Sequence, residues 1–191
     1  MSTTNVMIVG VGGQGSLLAS KLLGNLLVSE GYDVKVSEVH GMSQRGGSVV
    51  TYVKYGDKVY SPIITDGEAD YIVSFEKIEA ARWVSCLKPQ GKIIVNTQQI
   101  DPMPVITGKA TYPSEVLDNL TRDGVCIDAL DALNIAEQAG SAKAVNIVLM
   151  SRLAKHLDIP YDKWIEAIKS TVNAKFVDIN LKAFEMGYSL K

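Results

Sequence analysis

The residues with the clearest chemical potential lie in one short stretch, EVHGMSQRGG, which begins at Glu38. Arg45 carries a planar, permanently charged guanidinium that suits a carboxylate or a phosphate. Gln44 can donate and accept hydrogen bonds, His40 can titrate near neutral pH, and Met42 offers an adaptable apolar contact. The alternative is a solvated loop in which Arg45 pairs with Glu38. The candidate pocket residues are therefore His40, Met42, Gln44 and Arg45, with Gly46 and Gly47 as backbone that can approach a ligand closely.

A glycine loop, GVGGQG, precedes this stretch and has the G-x-G-x-x-G spacing between an apolar, strand-like run and a helical pattern. Backbone N–H groups at the start of such a helix point outward and attract anions. Glu38 follows about 20 residues further on, where a dinucleotide-binding fold places its ribose-binding carboxylate. Taken alone, the loop favours a nicotinamide or flavin nucleotide, or else a tight turn with close packing. Its candidate binding residues are Gly10, Gly12, Gly13, Gln14 and Gly15.

Two features argue against a stand-alone dehydrogenase. The second predicted strand leads into the polar stretch, where a nucleotide-binding half would continue with a crossover helix. Acid–base groups are also few, since His40 and His156 are the only histidines and no tyrosine has a lysine four positions later. We expect Glu38 to pair locally at its strand end, and His156 to be a structural or surface residue.

The composition excludes several classes of function. The 191 residues are 47% hydrophobic, with 19 Lys and Arg against 21 Asp and Glu, so the net charge of −2 provides no basic face for nucleic acid. Cys86 and Cys126 are far apart, which predicts two buried thiols and no metal site. The first ten residues, MSTTNVMIVG, do not have the basic start and cleavage site typical of a signal peptide, and no apolar run is long enough to span a bilayer. We therefore expect a cytoplasmic protein with no membrane or nucleic-acid partner.

The patterning predicts one α/β domain over residues 1–191: a Rossmann-like, mostly parallel sheet with an inserted hairpin and a helical C-terminal third. The first forty residues read as a β-α-β unit. The hairpin is predicted as two strands around a turn at Gly56-Asp57, and KPQG at 88–91 as a second turn. Ser114 is a possible cap of a helix that follows it.

Taken together, four motifs resemble the gamma-type domain of the 2-oxoacid:ferredoxin oxidoreductases: GVGGQG, SEVHGMSQRGGSV, the Ser61-Pro62 pair and the late NLKAFEMG. The resemblance extends from about Val6 to Gly187, and the fuller EVHGMSQRGG is similar to the indolepyruvate type of the family. NLKAFEMG contains Asn180, Phe184 and Gly187, which we expect to pack the last helix onto the sheet.

The resemblance implies a subunit that is not active alone. Such enzymes convert a 2-oxoacid, coenzyme A and oxidised ferredoxin to an acyl-CoA, carbon dioxide and reduced ferredoxin. It further implies that thiamine diphosphate, Mg and iron–sulfur clusters reside on a larger alpha subunit, with this chain closing the pocket for the 2-oxoacid or coenzyme A. The alternatives are the same subunit type for 2-oxoglutarate, pyruvate or a branched-chain oxoacid, a stand-alone NAD(P)-binding oxidoreductase, and a scaffold that only buries interface area.

Overall fold

The computed structural model describes residues 3–40 and 47–190. Its strands form one sheet in the order β2-β3-β1-β4-β5-β6. Within the described residues β3 alone runs opposite to the others, because it pairs antiparallel with β1 and β2 while β1, β4, β5 and β6 pair in parallel. The strands are β1 Thr4–Val11, β2 Asp33–His40, β3 Ser48–Gly56, β4 Ala69–Ser74, β5 Leu87–Asn96 and β6 Cys126–Leu130. This confirms the predicted mostly parallel sheet.

Helices cover both faces of the sheet, so β1 is apolar on both sides. Val6 and Ile8 join the core beneath the long helices, whereas Met7 and Val9 join the core on the opposite face. This split follows from the period of two in a strand, and burial on both faces is typical of parallel sheets. The helices are α1 Ser16–Ser29, α2 Lys77–Arg82, α3 Met103–Ile106, α4 Val116–Arg122, α5 Ala132–Ala139, α6 Val145–Ala154, α7 Tyr161–Thr171 and α8 Val177–Ser189. The helical C-terminal third is confirmed.

The predicted hairpin is placed differently. β3 pairs with β2 on one side and β1 on the other, so it has no free edge for a strand after Gly56. Residues 57–68 are irregular and are held by side chains instead. The Asp33 carboxylate accepts from the Val59 amide at 2.9 Å, and Lys54 donates to the Ile63 carbonyl at 2.9 Å. The inserted pair is thus β2–β3, and the prediction of a strand just after the Gly56-Asp57 turn is wrong.

Three smaller predictions are also wrong. The KPQG segment belongs to β5, where Gln90 adopts a positive φ of 69° and lets the strand continue past a local irregularity. Helix α4 is capped by Glu115 without a side-chain hydrogen bond, so Ser114 does not cap it. Cys86 is buried as expected, but Cys126 is exposed at the start of the edge strand β6. None of the described helices has the length and apolar character needed to cross a membrane.

The last helix packs on α6 and not directly on the sheet. All ten residues of α6 are buried, because it lies between the sheet and α8. The two helices meet at Gly187, where a Cβ atom would lie 2.2 Å from Ser151 Oγ and 3.1 Å from the Val148 carbonyl oxygen. Asn180 and Phe184 are buried along the same helix. The family-like NLKAFEMG segment is therefore a helix–helix contact.

We expect Gly187→Ala to destabilise the fold by about 1–3 kcal/mol, because the added methyl group would push α8 away from α6. Gly24→Ala is the matched control within α1, since its Cβ would lie 3.7 Å from Val36 Cγ2, an ordinary contact. The control should gain up to about 1 kcal/mol from helix propensity. Urea unfolding of the two variants measures both changes, and equal stability of the two would contradict this packing.

His156 lies just after the end of α6, next to Asp128 of β6. Its Nε2 atom is buried without a hydrogen-bond partner among the described residues and lies 3.9 Å from Asp128 Oδ2. Burial lowers the pKa of His156, with a further lowering by Lys92, while Asp128 opposes the shift. Because the folded state then holds the proton less tightly than the unfolded chain, acid favours unfolding.

We expect the free energy of unfolding to fall as the pH decreases through 6.5, where the histidine of the unfolded chain is half protonated and that of the folded protein is less so. His156→Asn should reduce that slope between pH 6.5 and 5, whereas His40→Asn serves as the comparison at the second histidine. Urea titrations across this range measure the slope. An unchanged slope in His156→Asn would show that other groups cause it.

Candidate functional site

The glycine loop turns sharply between β1 and α1. Gly13 and Gly15 have φ values of 97° and 89°, in the left-handed region that a side chain disfavours. Gly15 is the N-cap of α1 and has no side chain to bond the first amides of the helix. Gly10 serves another purpose, because a Cβ there would lie 2.9 Å from Phe75 Cβ. The loop therefore combines a tight turn, close packing and an N-terminal helix end that is open to an anion.

The Gln14 side chain fills the inside of this loop. Its Oε1 atom accepts from the Val11 amide at 2.7 Å, and its Nε2 atom donates to the Phe75 carbonyl at 3.0 Å. The same Nε2 atom lies 3.3 Å from Gln98 Oε1. Both ends of the amide thus bond within the protein, so the loop keeps its shape without a ligand.

A second side-chain amide, which is fully buried, extends this network to the other strand ends. Asn96 is fully buried and donates from Nδ2 to Gln98 Oε1 at 3.3 Å. Its Oδ1 atom accepts from the Ala132 amide at 3.0 Å, at the first residue of α5. The carboxyl ends of β1, β4 and β5 and the start of α5 are therefore joined by side-chain amides.

His40 and Gly47, the described residues on either side of positions 41–46, both lie next to the glycine loop. His40 pairs with Val49, and Val49 pairs with Gly10, so these three residues form one row across the sheet. The Gly12 amide donates to the Gly47 carbonyl at 2.9 Å. The candidate residues Met42, Gln44, Arg45 and Gly46 lie outside the described residues, as does the His40 side chain. The structure thus joins the ends of two segments that the sequence analysis singled out separately.

A cleft of about 480 Å³ lies between the glycine loop and the start of α6. Lys143 is the one charged residue among the described residues that line it, and Asn146 connects its two walls by donating from Nδ2 to the Gly15 carbonyl at 3.3 Å. Because α1 and α6 both begin here, their N-terminal amides add partial positive charge. The cleft therefore suits an anion. Its lining is Gly13, Gln14, Gly15, Leu18, Gln98, Leu133, Ala142, Lys143, Val145 and Asn146.

Glu38 does not line this cleft. Its Oε1 atom accepts from the Ser20 hydroxyl at 2.9 Å, on the side of α1 that faces β2. The predicted local pairing of this carboxylate is confirmed. Glu38 has the spacing of a ribose-binding carboxylate, but its hydrogen bond with Ser20 connects β2 to α1.

Sequence reasoning missed Lys143, Asn146 and Gln98. Asn146 is 131 positions from Gly15, to which it bonds, and Gln98 is 84 positions from Gln14. None of the three belongs to a motif. Only Ser141, whose hydroxyl accepts from the Lys143 amide at 3.3 Å, offers a local signal, since serine often precedes a helical turn. Periodicity and spacing cannot join segments so far apart in the chain.

We expect Gln14→Ala to lower the free energy of unfolding by about 1–3 kcal/mol, since the Val11 amide loses its side-chain acceptor and the Phe75 carbonyl keeps only the Asn96 Nδ2 donor at 3.3 Å. Gln138→Ala on the exposed face of α5 is the control, where the change should stay within about 0.5 kcal/mol. Urea unfolding measures both, and hydrogen exchange at the Val11 amide should accelerate in Gln14→Ala alone. Unchanged exchange would contradict the role of Gln14 inside the loop.

Comparison with known sequences identifies the family. The model of the pyruvate ferredoxin/flavodoxin oxidoreductase family matches residues 5–190. The chain is 43% identical to indolepyruvate oxidoreductase subunit IorB of Pyrococcus horikoshii, covering 98% of this chain and 95% of that protein. It is 42% identical to the protein of the same name from Thermococcus kodakarensis, again with 98% and 95% coverage.

The fold also matches solved structures. Pyruvate oxidoreductase subunit PORC of Thermotoga maritima superposes with a TM-score of 0.72 at 20% identity, over 98% of this chain and 96% of that chain. The predicted Rossmann-like α/β fold is confirmed by this likeness. The resemblance drawn from the glycine loop and the EVHGMSQRGG stretch is confirmed by the family match. The chain belongs to the pyruvate ferredoxin/flavodoxin oxidoreductase family.

Proposed function

We propose that this chain is the beta subunit of an indolepyruvate:ferredoxin oxidoreductase. In this reaction an aryl pyruvate and coenzyme A give an arylacetyl-CoA and carbon dioxide, and ferredoxin receives the electrons. The 43% identity to a subunit of that name, over 98% of the chain, is the observation that carries the proposal. The family-like EVHGMSQRGG stretch supports the same type.

The proposal divides the chemistry between two subunits. Thiamine diphosphate with Mg, and the iron–sulfur clusters, would supply decarboxylation and electron transfer from the alpha subunit. Among the described residues no three or more His, Cys, Asp or Glu side chains form a metal-binding group. The task of this chain would be to bind and orient substrates where its two loops meet, at Gly12 and Gly47.

Coenzyme A is the ligand that best suits the cleft beside the glycine loop. Its phosphates are multiply charged, and the cleft offers Lys143 together with the first amides of two helices. No carboxylate is present among its described lining residues to repel an anion. Leu18, Leu133 and Val145 add apolar contacts for the less polar parts of the molecule. Gly10, Gly12, Gly13, Gln14 and Gly15 would shape this site, with Gly46 and Gly47 beside it.

Arg45 would hold a second anion, either the substrate carboxylate or a coenzyme A phosphate. The support is its chemistry and its position, because it lies in the six residues between His40 and Gly47, which both flank the glycine loop. A guanidinium binds either anion in a bidentate manner. His40, Met42 and Gln44 would line the wall of the same pocket.

The proposal is tested on the complex purified anoxically from its source. We expect the chain to co-purify with a larger subunit that contains thiamine diphosphate and iron–sulfur clusters, and the complex to reduce ferredoxin most efficiently with indolepyruvate. A higher kcat/KM for 2-oxoglutarate, pyruvate or a branched-chain oxoacid would assign the chain to another enzyme of the family. Tight NADH binding by the isolated chain in titration calorimetry would instead indicate a nucleotide-dependent oxidoreductase.

We expect Arg45→Ala in the assembled enzyme to raise the apparent KM for the 2-oxoacid or for coenzyme A by about 10- to 100-fold, because one charge-assisted contact is lost. Steady-state kinetics with each substrate varied in turn show which anion Arg45 holds. Arg45→Lys keeps the charge but not the bidentate geometry and should recover part of the loss. Unchanged KM values for both substrates in a correctly assembled Arg45→Ala enzyme would rule out this role.

We expect Lys143→Ala to raise the KM for coenzyme A by about 10-fold or more, with little change in the KM for the 2-oxoacid. The control is Lys169→Ala, at an exposed lysine on α7 outside the cleft lining. The effect should weaken as salt is added, since it depends on charge. Equal KM values for coenzyme A in the two variants would show that the cleft holds another ligand.

A further inference from the structure

An apolar tip projects from the segment between β5 and α4, residues 97–115, which we name the arm. Met103 and Ile106, in the one-turn helix α3, are each 65% exposed. The seven residues 102–108, with the sequence PMPVITG, include no charged side chain. Large apolar residues grouped at a projecting point are unusual on a surface that meets only water, and they mark interaction sites.

The arm is held rigidly at both ends by one buried carboxylate. Glu76 is 1% exposed, and its Oε1 atom accepts from the Ile100 amide at 3.2 Å and from the Tyr112 hydroxyl. Its Oε2 atom accepts from the amides of Ile78 and Glu79, so the same side chain also caps α2. A buried carboxylate with all these donors is costly to disturb.

The tip itself is closed by its own backbone hydrogen bonds. The Pro104 carbonyl accepts from the amides of Lys109 and Ala110 at 2.8 and 3.0 Å, and the Met103 carbonyl accepts from the Thr107 amide at 2.9 Å. The backbone that carries the two apolar side chains is therefore closed on itself before any partner binds. A backbone that is already ordered loses less conformational entropy when a partner binds.

The arm starts at the cleft proposed for coenzyme A. Gln98, its second residue, lines that cleft and lies 3.3 Å from Gln14 Nε2 in the glycine loop. The Lys77 amide also donates to the Gln98 carbonyl at 3.3 Å. A partner that closes the cleft therefore approaches the end of the sheet from which the arm projects.

A second copy of this chain is a poor fit to the tip. A stable protein interface buries about 800 Å² on each partner, far more than two side chains can supply. The tip has no charge that would orient another surface. A few anchoring side chains suffice, however, when the same partner covers a wider surface around them.

We propose that the arm inserts Met103 and Ile106 into an apolar pocket of the large catalytic subunit and so anchors the two subunits beside the cleft. This inference rests on the proposed function for its partner. Methionine suits such an anchor, because its flexible side chain adapts to an irregular pocket. The arm then fixes the position of the cleft relative to the partner's reaction centre.

The test measures binding of the full chain to the separately purified large subunit under anoxic conditions. In the double variant Met103→Asp with Ile106→Asp we expect the Kd to rise by about 100-fold or more, as for a pair of anchoring residues. Val28→Asp is the matched control. Val28 is 62% exposed and lies near the C-terminal end of α1, whereas the glycine loop and the cleft are at the N-terminal end. It should bind as the wild type does. Circular dichroism and thermal unfolding of each isolated variant check that it is folded.

Hydrogen exchange on the wild-type chain gives an independent measurement that needs no variant. We expect the amides of residues 103–110 to exchange more slowly in the complex than in the isolated chain. A double variant that binds with the wild-type Kd, or an arm whose exchange does not change on assembly, would overturn the anchor while leaving the proposed function intact. If the wild-type chain itself does not bind the large subunit, the proposed function fails first, and the anchor fails with it.

Discussion

The candidate site depends on one half-buried side-chain amide. Gln14 bonds to the Val11 amide and to the Phe75 carbonyl, and thereby holds the end of β1 against the end of β4. Parallel strands end in polar backbone groups that need partners, because an unpaired buried N–H or C=O costs about 1–3 kcal/mol. The amide satisfies one donor and one acceptor at once. The glycine loop can therefore be short and open toward its outer side while its inner side is fully bonded.

The side-chain amide network continues across the carboxyl ends of the neighbouring strands. Gln98 and Asn96 extend the amide network to β5 and α5, so the glycine loop, the cleft and the root of the arm share one rigid support. On this support the charged and apolar features are separated. Lys143 and the helix N-termini lie at the cleft, whereas the tip with Met103 and Ile106 carries no charge. Under the proposed function, polar recognition and apolar anchoring would therefore occur at adjacent places.

The reversed strand β3 brings Gly47 next to the glycine loop. In a simple dinucleotide-binding half the second strand lies beside the first, and a helix follows it. Here β3 lies between β1 and β2, and it brings Gly47 to the Gly12 amide. Two described residues next to the glycine loop are thus Gly47, through the Gly12 amide, and His40, through its row with Val49 and Gly10. The glycine loop has the dinucleotide spacing, but among the described residues it adjoins β3 and the start of α6.

Local patterns in the sequence determined the elements whose signals are local. The glycine loop and the first β-α-β order follow from periodicity and from the φ values that only glycine tolerates well, as at Gly15. The family motifs likewise identified the chain, because they are read residue by residue. The helical C-terminal third was also evident, since its apolar spacing repeats over several turns.

Tertiary structure decided what depends on neighbours in space. Whether residues 58–62 form a strand depended on a free edge of β3, and β1 and β2 occupy both edges. Lys143 and Gln98 line the cleft only because the fold brings their segments next to the glycine loop. Gly187 is a packing contact only because α6 lies against α8. Hydrogen bonds and close packing join residues that are distant in the chain, and local periodicity or motif spacing does not show which distant residues will meet.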